Sequence, residues 1–334
     1  MPLNVPQTYP QKADLMHTSP LPTIRIIAFP GAPNLPIFAA IAQGFFAEEG
    51  VKVDLSLTPS SVMQAQKTAD GDCEMVFTAF DNVVAYGEGQ GAAGPDVNPD
   101  YVVVMGATQL ELSLIVAPDV VTFADLKGRT IALDALATGF AFVLDEMIAQ
   151  GGLAKADTQY VAVGATPQRW HSVQDGTHAA TLTIEPFTSL ATRAGFKVLD
   201  TSSRLFESYQ GGVCATRRSF LRDHPDQVRA LVKGYLRGLA WVTDPANRDA
   251  AEALLQERMP EIKPQAVGSV MKSLMSPRSG LTPNGEILPK GMAQVLDLRT
   301  RHGACDAPLT DISRYLDLGI YENVLKDLQG GRVG

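Results

Sequence analysis

IRIIAFPGAPNLPIFAAIAQGFFAEEGVKVDLSLTPSSVMQAQKTADGDCEMVFTAFDNVVAY, residues Ile24–Tyr86, decides the fold. Three short apolar runs, Ile24–Phe29, Val51–Leu57 and Met75–Thr78, alternate with segments of helical periodicity. Runs of this length, bounded by Gly, Pro, Asn and Ser, read as buried strands. Strands that alternate with helices imply βαβ units and a mostly parallel sheet. Each run ends in residues suited to touching a small molecule: Gly31-Ala32-Pro33-Asn34, Thr58-Pro59-Ser60-Ser61 and Thr78-Ala79-Phe80-Asp81-Asn82. Open α/β sheets bind ligands beyond the carboxyl ends of their strands, so function is expected along that edge.

Working outward, Ile37, Ala40, Ile41, Gly44 and Phe45 recur at helical steps, predicting one helix over Leu35–Glu49 with Gly50 as its stop. Ser61-x-x-Gln64 reads as a capping box for a second helix, and Asp81 as the cap of a third. The Gly/Pro-rich stretch Gly87–Pro99 is a loop. Strands are expected at Tyr101–Ala107, Leu112–Ala117, Thr130–Leu133, Tyr160–Val163, Ala179–Ile184, Phe196–Leu199 and Gly211–Thr216. Helices are expected at Pro225–Val242, Ala246–Glu257, Gln265–Met275 and Pro289–Arg301. The organisation that follows is a flexible N-terminal arm (1–23), a first lobe made of 24–110 and 211–334, and a second lobe (111–210) inserted by two crossings.

A chain of 334 residues is too long for one small core and suits two lobes. Its 45% hydrophobic and 19% charged residues are those of an ordinary globular protein. A formal charge of −8 argues against nucleic acid, whose phosphates demand a basic stripe. No apolar run reaches the ~18–20 residues that span a bilayer. Met1–Thr23 carries five prolines and neither a basic start nor an apolar core, so it does not read as a secretory signal. Cys73, Cys214 and Cys305 are isolated, and the histidines show no close ligand spacing, so neither a disulfide framework nor a metal is expected. No nucleotide or hydrolase motif is present, and no cofactor is expected.

The ordered succession of GAPNLP (Gly31–Pro36), GFFAEEGVKVDL (Gly44–Leu55), TPSSVMQAQ (Thr58–Gln66), FADLKGRTIALD (Phe123–Asp134), TIEPF (Thr183–Phe187) and the helical His224–Leu255 resembles solute-binding proteins of the sulfonate, nitrate and taurine transport type. That superfamily includes relatives of thiamine-pyrimidine synthase. The resemblance implies a two-lobed type II periplasmic-binding-protein fold, each lobe a mostly parallel sheet flanked by helices. It implies a non-catalytic substrate-binding protein of an ABC-type importer, closing on a sulfonate-, amine- or nitrogen-heterocycle-like solute. The partner would be a membrane permease, the protein a monomer, and the location periplasmic; cytoplasmic is the alternative because Met1–Thr23 is not signal-like. The competing reading is an intracellular enzyme on the same scaffold, although the Cys-rich run of the pyrimidine synthases has no counterpart.

Candidate ligand contacts are Asn34, Ser60, Ser61, Phe80 and Asp81 at the tips of the first lobe. Thr138 and Gly139 open a helix whose backbone N–H groups can hold an anionic or polar group; an ordinary capped helix is the competing reading. Glu185, implied by the resemblance to face the cleft, could accept hydrogen bonds or compensate a helix start. Gln109 near the first crossing and Tyr209 near the second complete the set, and His171 with Glu185 is a conceivable acid–base pair. Acceptors outnumber cations, with Arg169 the nearest cationic candidate unless it is solvated. The balance leans toward a neutral or amine-bearing ligand.

Overall fold

The expected strands all form in the computed structural model, which describes Pro20–Gly330; the N-terminal arm expected over 1–23 lies almost wholly outside the described residues. In chain order the first lobe begins with β1 (Thr23–Ala28), α1 (Leu35–Ala42), α2 (Phe45–Glu48), β2 (Lys52–Leu57), α3 (Ser61–Ala69), β3 (Met75–Ala79), α4 (Phe80–Gly87) and β4 (Tyr101–Gly106). The second lobe follows with β5 (Ser113–Val116), β6 (Thr130–Leu133), α5 (Gly139–Gln150), β7 (Gln159–Ala162), α6 (Thr166–Gln174), β8 (Ala180–Thr183), α7 (Phe187–Arg193) and β9 (Lys197–Thr201). The chain returns through β10 (Gly212–Arg217) and ends in α8 (Arg218–Asp223), α9 (Pro225–Thr243), α10 (Arg248–Arg258), α11 (Pro264–Leu274), α12 (Pro289–His302) and α13 (Gly319–Gly330).

The two sheets repeat one plan. The first runs β2-β1-β3-β10-β4, the second β7-β6-β8-β5-β9. In each, the first three strands are parallel and the fourth is antiparallel to both neighbours. Helices cover both faces, so strands such as β4 and β5 are buried along their whole length and read as continuous apolar runs. In the first lobe α9 packs along α1, enclosing Ile24, Ile26, Leu231, Tyr235 and Leu239.

Three local expectations are corrected. The single helix over Leu35–Glu49 is broken at Gly44, whose φ of 79° is left-handed backbone that glycine adopts without a Cβ clash. Ser61 and Gln64 form no capping box. Ser60 is the cap, its Oγ accepting the Met63 N–H at 3.2 Å, while the Gln64 amide donates to the carbonyls of Ile27 and Phe77 at 3.2 and 3.1 Å. A buried amide is better satisfied by strand-end carbonyls than by a solvent-facing helix turn. Asp81 does not cap α4, whose N-cap is Ala79; its carboxylate is engaged elsewhere. The sequence reading also omitted α8 and α13.

The two crossings run side by side. Leu110 N–H donates to the Tyr209 carbonyl at 3.2 Å and Gly211 N–H to the Thr108 carbonyl at 3.1 Å. The fully buried Gln210 amide donates to the carbonyls of Thr108 and Gly212 and accepts the Leu288 N–H. A two-stranded, internally bonded connection of this kind leaves few torsions through which the lobes can move relative to each other.

Candidate functional site

The carboxyl ends of β1 and β3 from one lobe face those of β6 and β8 from the other across a cleft of about 900 Å³, its open mouth included. Phe29, Pro33, Phe77, Leu110, Phe140 and Ile184 give it an apolar body. Amides and hydroxyls are set among them: Asn34, Thr78, Asn82, Thr108, Thr138 and Thr166. A mostly apolar wall with a few placed polar groups is what a small organic ligand requires.

Asp81 is heavily engaged at the cleft. It lies in the first turn of α4, 2% exposed, because β3 leads directly into the helix with no loop between them. Its Oδ2 accepts the Gly139 N–H at the start of α5 in the opposite lobe, at 2.5 Å. Arg299, on α12 and wholly buried, donates Nε to Oδ1 at 2.8 Å and Nη2 to Oδ2 at 2.6 Å. The same guanidinium reaches Gln90 Oε1 at 2.9 Å and lies 4.9 Å from the centroid of the Phe142 ring. Gly139 is required here: a Cβ would stand 2.7 Å from both Asp81 Cβ and Tyr209 Oη.

Asp134 makes the reciprocal link. It ends β6 in the second lobe, and its two oxygens accept the Ser61 N–H at the start of α3 in the first, at 3.3 and 3.2 Å. Ala165 N–H donates to the Pro59 carbonyl at 2.8 Å alongside. Each lobe therefore sends one carboxylate to the positive end of a helix in the other.

Arg169 is not solvated. It is 2% exposed and donates to the Gly164 and Leu182 carbonyls and to Thr166 and Thr181 Oγ1. Burial pushes its guanidinium down to about 10, and the nearby Asp134 charge opposes the fall; it is still a cation at neutral pH. It lines the cleft, so the acceptors there do not stand without a buried positive charge.

Of the residues singled out in the sequence, Asn34, Asp81, Thr138 and Gly139 line the cleft together. The Asn34 amide is turned to the Phe29 carbonyl at 2.8 Å. Thr138 precedes α5 but makes no side-chain cap bond, since Asp81 takes that place. Ser60 and Ser61 do not line the cleft; they cap α3 and hold Asp134. Phe80 is fully buried edge-on against Tyr315, in the core rather than the cleft. Gln109 donates to the carbonyls of Pro277 and Arg278 and sits in a separate pocket beside the crossings, which Tyr209 shares. The Tyr209 hydroxyl is buried with no hydrogen-bond partner.

Glu185 lies with Glu111 in a separate side pocket that shares Pro33, Leu110 and Ile184 with the cleft wall. It accepts from Ser189 Oγ at 3.0 Å and Ser189 N at 3.3 Å, as a carboxylate compensating α7 would. Burial raises its carboxyl above the ordinary range, the Ser189 bonds work against that rise, and the Glu111 charge adds to it. His171 stands exposed on α6 and does not pair with it. Arg299 stands 218 residues from Asp81 with no local signal in the sequence, and Asp134 shows there only as the residue after a strand.

A family model described as NMT1-like matches residues 17–256. Among solved structures, the chain is similar to a protein from Bordetella bronchiseptica RB50 at 21% identity and a TM-score of 0.77, covering 92% of this chain and 98% of that one. The periplasmic nitrate-binding protein NrtA from Synechocystis PCC 6803 follows at 12% identity and 0.78, covering 92% and 89%. The alkanesulfonate-binding protein SsuA from Xanthomonas axonopodis pv. citri, bound to MOPS, gives 15% and 0.71, covering 90% and 100%. At these identities the likeness is one of fold: two lobes of five-stranded mixed sheet, the periplasmic-binding-protein architecture. The comparison with curated proteins found no match.

Proposed function

We propose that this chain, which belongs to the NMT1-like family, is the solute-binding component of an ABC-type importer, holding a small organic molecule between its lobes for a membrane permease. The observation that carries the reading is the apolar cleft, built from strand ends of both lobes and spanned by a two-stranded connection. Ligand contacts to both lobes would favour the closed arrangement by their differential free energy. The fold likeness to nitrate- and sulfonate-binding proteins supports the class, and a periplasmic location with it.

The cleft's charges suggest the ligand. Asp81 is matched by Arg299, and Asp134 stands near Arg169, so the other polar groups of the cleft are uncharged amides and hydroxyls set among apolar rings. That chemistry suits an uncharged, flat molecule such as a nitrogen heterocycle better than a sulfonate or nitrate. A thermal-shift screen across pyrimidines, aromatic amides, amines and sulfonates tests this. Stabilisation by a heterocycle that mass spectrometry recovers unchanged supports the reading; conversion of the compound to a product, or no stabilising solute, contradicts it.

A further inference from the structure

An anion seat stands at the inner end of this cleft, and the protein has filled it with its own side chain. Three donors converge there: the Gly139 N–H at the start of the twelve-residue α5, the buried Arg299 guanidinium, and the buried, unpartnered Tyr209 hydroxyl lying against the same point. A helix start with a cation and a phenol beside it is a ready site for a carboxylate, nitrate or sulfonate. The Asp81 carboxylate occupies it, with 2.5–2.8 Å contacts to the first two donors. The seat is tight on the α5 side, where a Cβ at Gly139 would meet Asp81 and Tyr209.

We infer that Asp81 determines specificity by exclusion, acting as a tethered counter-anion that makes the cleft reject small oxyanions and leaves it to uncharged solutes. This rests on the solute-binding reading above, which it refines. A free anion would have to displace a carboxylate held by two guanidinium bonds and a helix N–H, and would leave that carboxylate buried without a partner. Two negative groups cannot share the seat.

Asp81→Ala removes a group the size of formate, so formate is the probe. Thermal melts are run with formate or nitrate titrated against gluconate, which is too bulky for the seat, at constant ionic strength. The expected result is that Asp81→Ala melts lower than wild type and that formate raises it by about 2 °C once it exceeds its dissociation constant about tenfold. Wild type and Asp81→Asn, whose seats stay filled, do not respond. Equal formate responses in wild type and Asp81→Ala, or none in Asp81→Ala, overturn the inference. Should Asp81→Ala not fold in gluconate, refolding from urea in formate replaces the melt: recovery in formate alone supports the inference and failure in both salts overturns it. These readouts need no natural ligand, so failure of the solute screen leaves them standing, and failure here leaves the solute screen standing.

Discussion

Asp134 at the end of β6 accepts the Ser61 backbone N–H at the start of α3, across the cleft, at 3.2 Å. Asp81 does the same in reverse for Gly139, at 2.5 Å. The lobes are thus joined by an exchange of carboxylates in which each helix start is capped by the other lobe. Removing the Asp134 carboxylate is expected to cost what an N-cap costs, about 1 kcal/mol, and to loosen the start of α3 without unfolding its lobe. Asp134→Ala should therefore speed amide hydrogen exchange in the peptide containing Ser61, with little change in the peptides of β4 and β5. Uniform acceleration throughout the chain would show a global rather than an interlobe role.

Gly139→Ala places a methyl 2.7 Å from Asp81 Cβ and Tyr209 Oη. Overpacking of this kind typically costs about 1–3 kcal/mol. The expected outcome is a lower urea midpoint with an unchanged slope, together with a larger radius of gyration in solution scattering as the lobes are held apart. An unaltered midpoint would mean that the contact relaxes freely.

Arg299 and Asp81 are each almost completely buried, so each depends on the other. Arg299→Met leaves a buried carboxylate with a single N–H donor and should destabilise by about 3–5 kcal/mol. Asp81→Leu combined with Arg299→Met removes both charges and should recover most of that loss. Urea denaturation of the single and double variants forms the cycle; additive losses would show that the pair is not coupled.

Glu185 offers a test with a definite sign. Its carboxyl is raised in the folded chain, so the folded state holds its proton to higher pH than the unfolded state does. Stability is then reduced as pH rises from the unfolded carboxylate value through the folded one, and the full penalty applies above it. Glu185→Gln should gain stability relative to wild type as pH increases across that window, and show no such gain below it. A constant difference between the two proteins at all pH values would contradict the burial argument.

Sequence patterning revealed the lobes because it is a local signal. Tyr101–Ala107 is a continuous apolar run and Leu112–Ala117 is broken only by Ser113, as strands covered on both faces must be. The antiparallel position of β10 carried no such mark, since Gly211–Thr216 has the same composition whichever way it runs. At the cleft, Asn34 and the Thr138-Gly139 helix start were readable as strand-end and helix-start residues. Arg299 was not, because its partner lies 218 residues away and its own surroundings on α12 look like an exposed basic helix end. The same long-range pairing turned Asp81 from a local helix cap into an interlobe contact, and the burial of Arg169 among backbone carbonyls turned a nominal surface charge into part of the cleft wall.

A small solute held between the lobes would lie against the end of β3. Ala79 ends β3 at the cleft wall and is partly exposed, so Ala79→Phe places a ring in the cleft and narrows it. Calorimetric titration of the best solute from the screen into wild type and Ala79→Phe is the direct test. Saturable one-to-one binding is expected for wild type, with affinity at least about tenfold weaker, some 1.4 kcal/mol, in Ala79→Phe at an unchanged melting temperature. Equal affinity in the two proteins would place the binding site elsewhere and contradict binding between the lobes.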